Sequence, residues 1–313
     1  MRLALALVLV GCTGAPAPTK ATSPPAPEPV LVPVPVPVPE AAPPLPSASA
    51  SASPSPAPSP DRDALAARFA SDPESARIAL SLFDRDASIA DTLPAQVFDG
   101  GYRGILHLVP ALPVGADRPP LAWVDAALAD FDAFFAGLAA HGTPRYRWQG
   151  LTFRFFRTVG NTTPNAFAEG WTIAWNVHGS INHSADATRE TLFHEIYHLD
   201  DADHGDWSPA HLTSLQRAIE ARCGTRIPCL TPYAPTSTIV RNGTFYAFQP
   251  GNDVHEYAAE VSLRWYREQR AILRGDPPVR PSFKCGPEEN RRAWEAIAAE
   301  FFGGVDLVPG CDK

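Results

Sequence analysis

Proline placement decides how much of this chain can fold. Of the 35 prolines in 313 residues, 17 fall between Thr13 and Pro60, in a stretch that includes PAPEPVLVPVPVPVPEAAPPLPSASASASPSPAPSP. Each proline removes a backbone donor and fixes φ, and alternating Ser and Ala offer little to bury. Residues 13–60 therefore read as a disordered or polyproline-II tether, reaching about 150 Å if fully extended at about 3.1 Å per residue. What is left to fold is residues 61–313, roughly 250 residues and ample for one sizeable core.

The N-terminus reads as an export signal. Arg2 is followed by LALALVLVG, an apolar run too short to span a bilayer. The run ends in Leu9-Val10-Gly11-Cys12, which resembles the lipobox of bacterial lipoproteins. That resemblance implies removal of residues 1–12 as a signal peptide, with Cys12 diacylated as the new N-terminus. It places the domain in the bacterial cell envelope on a lipid anchor, and Thr13 after the Cys favours the outer membrane if the cell is Gram-negative. The alternative is an ordinary secretory signal.

The formal net charge is −8, and Lys and Arg are scattered without a basic run, so nucleic acid is not an expected partner. Cys223, Cys229, Cys285 and Cys311 remain. An even number in an exported chain points to two disulfides, with three pairings open; Cys223–Cys229 would close a short loop and Cys285–Cys311 would fasten the tail. A zinc site from these four lacks any C-x2-C pair.

Apolar periodicity predicts helices over 61–70, 74–83, 120–140, 187–199, 209–222, 254–274 and 287–302. Alternation and aromatic content predict strands over 104–112, 146–158 and 171–179. With strands early and helices late, the class is α+β. No internal repeat is visible, and a monomer is expected.

Residues 188–201 read TRETLFHEIYHLDD, and His194-Glu195-Ile196-Tyr197-His198 is HExxH. On a helix, residues four apart lie on one face, so both imidazoles can share one zinc ion. Glu195 then stands beside the metal without binding it, where it can take a proton from the hydrolytic water. Leu192, Phe193, Ile196 and Leu199 give the helix an apolar face for burial.

A catalytic zinc takes a third protein ligand. His204, in HEIYHLDDADH, has the metzincin spacing, although Asp201 stands where those enzymes place Gly and the chain's only methionine is Met1. The other candidate lies in NDVHEYAAEVSLRWYRE, where Glu256 and Glu260 are four apart. HExxH followed by an E-aromatic-x-A-E helix resembles the anthrax lethal factor and Pro-Pro endopeptidase group of gluzincins. The resemblance covers the two motif helices, and Asp200-Asp201 after the HExxH motif is similar to a pair in that group. It implies a zincin-like domain with a small, mostly antiparallel sheet and a zinc site in the helical C-terminal half. It also implies that Glu256 is the third ligand and that Glu260 orients a zinc-binding His. The group also places an oxyanion-stabilising tyrosine shortly before its glutamate helix; Tyr246 is the nearest candidate here, at a different spacing, with Tyr233 and Tyr257 as weaker alternatives and Tyr197 read as packing within its helix. His255 points away from Glu256 on the same helix, and His178 and His183 read as loop residues.

These features predict zinc-dependent endopeptidase action on a peptide or protein substrate, with WTIAWNVHG as a strand edge onto which an extended peptide could add. Competing readings are another zinc hydrolase, such as a cell-wall peptide hydrolase, a metzincin-like protease using His204, or a non-catalytic binding protein stabilised by zinc.

Overall fold

The computed structural model describes residues 62–99, 104–240 and 243–311. The expected signal peptide with Cys12 and the expected proline-rich tether lie outside them. Among the described residues no helix is long and apolar enough to cross a membrane.

Two helices open the fold, α1 (Arg62–Arg68) and α2 (Pro73–Phe83). Strands β1 (Ala87–Thr92), β2 (Gln96–Asp99) and β3 (Ile105–Pro110) precede the long α3 (Arg118–Leu138). Then come β4 (Leu151–Thr158), β5 (Ala166–Glu169) and β6 (Thr172–Asn176). The remainder is helical: α4 (Ala185–Asp203), α5 (Trp207–Cys223), α6 (Ile227–Leu230), α7 (Val254–Arg274) and α8 (Glu288–Phe301). The class is mixed α and β, with a helical C-terminal half.

The sheet runs β2-β3-β4-β6-β5, with β1 also paired to β4. β4 is its spine: β6 and β1 pair with it in parallel, β3 antiparallel. The β2–β3 and β5–β6 pairs are antiparallel. Three of five pairings are therefore antiparallel, and the parallel centre makes this a mixed sheet. Two sequence expectations change here. The predicted strand over 146–158 begins only at Leu151, because Gly150 turns the chain at φ +73°. WTIAWNVHG is not an edge: β6 is flanked by β4 and β5, so the edge belongs to the four-residue β5.

Side-chain alternation splits β4 between two cores. Leu151, Phe153 and Phe155 join Ile89, Ile173 and Trp175 in the main core beneath the helices, while Phe156 faces a smaller cluster of Leu93, Leu106, Leu108 and Ala174. Under the sheet, α4 packs against α3, α7 and β5. Aromatic rings set that packing. Phe193 of α4 stacks on Tyr266 of α7 at 4.2 Å and on Tyr146 at 4.9 Å, and meets Phe131 of α3 edge-on at 5.7 Å. Tyr146 also donates its hydroxyl to the Phe193 carbonyl at 2.9 Å. Such contacts contribute about 0.5–1.5 kcal/mol each beyond simple burial, and they surround the residue next to His194.

Two disulfides close the C-terminal half, Cys223–Cys229 and Cys285–Cys311.

Candidate metal centre

α4 begins at Ser184, whose hydroxyl accepts from the Ala187 amide at 3.2 Å as an N-cap. It runs through Asp203, four residues beyond the predicted end at Leu199, and stops at Gly205, where φ is +76°. α7 begins at Asp253, which caps through the His255 amide, and spans the predicted 254–274. The two helices pack together. Val254, Tyr257, Ala258, Ala259 and Val261 bury α7 and leave Glu256 and Glu260 facing α4.

Three donor atoms converge between them. His194 Nε2 lies 3.0 Å from Glu256 Oε2 and 3.2 Å from His198 Nε2, and His198 Nε2 lies 3.7 Å from Glu256 Oε2. A tetrahedral ion with ligands at about 2.0–2.2 Å needs ligand-to-ligand edges of about 3.3 Å, so this triangle has the size of one tetrahedral face. The donor set of two imidazoles and one carboxylate suits zinc.

Behind the triad, His194 Nδ1 lies 3.3 Å from Glu260 Oε1. That contact lets Nδ1 donate its proton to Glu260, which would leave the Nε2 lone pair for an ion once the second proton is displaced. Glu260 is 4% exposed, and its other oxygen accepts from the Thr236 hydroxyl. Thr236 carries no motif, and only the fold brings its loop here.

The site favours an added positive charge. Burial pushes the His194 pKa down, but Glu256 and Glu260 outweigh it and hold it well above the ordinary value. Burial likewise pushes Glu256 up, and His194 and His198 hold it well below. A cation shared by these groups gains what the proton gains.

Glu195 sits between the two histidines and is partly buried. Burial raises its pKa, with His194 and His198 opposing and Glu256 adding to the rise. Tyr246 lies in a short 3-10 turn, Tyr246–Phe248, anchored by buried Ala247 and Phe248. Its ring centre is 6.0 Å from that of His194. Its hydroxyl pKa is raised by burial first and then by Glu256, Glu195 and Glu260, which places the phenol at the same cluster.

The remaining sequence candidates lie elsewhere. His204 caps α4 and pairs through Nδ1 with Glu300 at 2.7 Å. The metzincin spacing requires a turn at residue 201, but Asp201 is helical here and the helix carries His204 away from the triad. Tyr197 points into the core against the Ser208 hydroxyl at 3.0 Å, Tyr257 is fully buried, and Tyr233 meets Arg222. His178 pairs with Asp117 at 2.8 Å, and His183 is exposed before α4. His255 turns away from Glu256 toward Asp206.

Comparison with protein-family models, curated proteins and solved structures found no match for this chain.

Proposed function

We propose that this chain is a zinc metallopeptidase of gluzincin type with a zincin-like domain, cleaving peptide bonds of extended substrates in the cell envelope. One observation carries the reading: His194, His198 and Glu256 bring one donor atom each within 4.8 Å of the others. Glu195 stands beside that set rather than in it. A purely structural site has no use for a carboxylate in that position, and three protein ligands leave a coordination position open.

In this reading His194, His198 and Glu256 hold the ion and Glu260 fixes the His194 ring. Zinc, when bound, supplies a Lewis acid that polarises a carbonyl and acidifies water. Glu195 takes the proton of the attacking water and passes it to the leaving amine. Tyr246 donates a hydrogen bond to the carbonyl oxygen as charge develops on it. Among the described residues β5 has one strand partner, β6, and its other edge offers backbone groups for an extended peptide. The lipobox resemblance at Cys12 and the proline-rich segment support action at a membrane surface from a long tether.

The full chain should hydrolyse casein or a mixed peptide library, lose that activity to a zinc chelator and regain it with Zn2+. Hydrolysis that persists after complete metal removal would sink the proposal.

A further inference from the structure

His255 adjoins Glu256 but faces a different group of side chains. Its Nε2 lies 2.8 Å from Asp206 Oδ1 and 3.8 Å from Asp201 Oδ2, and its Nδ1 lies 3.0 Å from Asp253 Oδ1. One donor atom each from Asp201, Asp206 and His255 fall within 4.8 Å of one another. The cluster sits where three helices meet: the last turn of α4, the start of α5 and the first turn of α7.

Carboxylates around a surface imidazole can be plain ion pairs. Asp201 argues for more. It is fully buried, and its Oδ1 accepts from the Ser208 amide at 2.8 Å. Its Oδ2, the oxygen facing His255, is buried and accepts no hydrogen bond. A buried carboxylate oxygen without a donor is costly, and a cation is the partner that would satisfy it. Asp206 adds a second sign. It occupies the N-cap position of α5 with φ +62°, yet its side chain makes no capping bond and turns to His255 instead.

We propose that Asp201, Asp206 and His255 form a second divalent-cation site that staples α4, α5 and α7 together. Two carboxylates and one imidazole suit a first-row ion such as Zn2+ or Mn2+ better than Ca2+ or Mg2+, which prefer all-oxygen shells. Asp201 follows His198 by three residues, and His255 directly precedes Glu256. An ion here therefore holds, from outside the triad, both helices that supply the triad. The proposal does not depend on Glu195 being a base or on any hydrolysis.

The test is zinc stoichiometry and calorimetry on the full chain after chelation and back-titration with Zn2+. The variants are His194→Ala, Asp206→Asn, His255→Gln and the His194→Ala/Asp206→Asn pair. Asp206 is exposed, and Asn tolerates the left-handed backbone, so Asp206→Asn leaves the fold intact. Wild type should bind two equivalents, each single variant one, and the double variant none. Zinc should raise the Tm of His194→Ala and leave that of the double variant unchanged. Zinc lost in His255→Gln but kept in His194→Ala would support this site even if wild type binds one equivalent, and would count against the HExxH reading instead. No zinc bound by His194→Ala, or wild-type stoichiometry in Asp206→Asn and His255→Gln, would overturn it.

Discussion

Glu260 Oε1 lies 3.3 Å from His194 Nδ1, the ring nitrogen opposite the one that meets Glu256. A single imidazole is thus held between two carboxylates one helical turn apart on α7. In the proposed zinc site this would divide the labour of the pair: Glu256 would reach the ion and Glu260 would set the ring. Glu256→Ala should lower zinc affinity more than Glu260→Gln, for which about 10–100-fold is typical of a carboxylate acting through a ligand. His204→Ala should leave zinc binding unchanged, because His204 is engaged with Glu300. Calorimetric zinc titration of the three variants checks this order. Loss of zinc in His204→Ala would contradict it.

Tyr246 is placed by its neighbours rather than by helix periodicity. Its amide donates to the Thr238 carbonyl at 2.8 Å, and its carbonyl accepts from Asn252 at 2.9 Å. If the phenol stabilises the oxyanion, Tyr246→Phe should keep its zinc and lower kcat by about 100-fold or more, with little change in KM. An effect confined to KM would make it a substrate-binding residue only.

Asp130 on α3 ties together the helices that carry the site. It accepts from the Tyr266 hydroxyl at 2.7 Å and from Arg270 at 2.8 and 2.6 Å, with Arg189 of α4 at 3.9 Å. Burial pushes its pKa up, but the bonds from Arg270 and Tyr266 outweigh this and hold it below the usual range. A depressed folded value means the stabilisation is complete above the unfolded pKa of about 3.9 and is lost as pH falls through the lower folded value. Asp130→Asn should cost about 2 kcal/mol at pH 7. Urea melts should show the gap to wild type narrowing below about pH 4. A gap that stays constant from pH 7 to pH 3 would contradict the assignment.

Local pattern made part of this legible. Helical spacing alone put His194 and His198 on one face, and likewise Glu256 and Glu260, and α7 spans the predicted residues. What escaped depends on tertiary placement. β2 and β5 have four residues each, and no window of alternation marks them or β1. That β6 is interior rather than an edge follows from β5 folding back on it, which its own composition does not encode. α4 outruns its predicted end because Asp200 and Asp201 are buried within it, Asp200 accepting from the Arg147 amide at 2.9 Å. Two acidic residues read as a helix stop only when their partners are unknown. Thr236, and the meeting of Asp201 with His255, join residues far apart in sequence and carry no spacing to read.

In the proposed function Glu195 performs chemistry at a metal it does not bind. Zinc content and peptide hydrolysis measured together on wild type and Glu195→Ala test it most directly. Near-full zinc is expected in the variant, with hydrolysis lower by about 1,000-fold or more. Substantial hydrolysis by the zinc-loaded variant would contradict it, as would loss of the metal on removing Glu195.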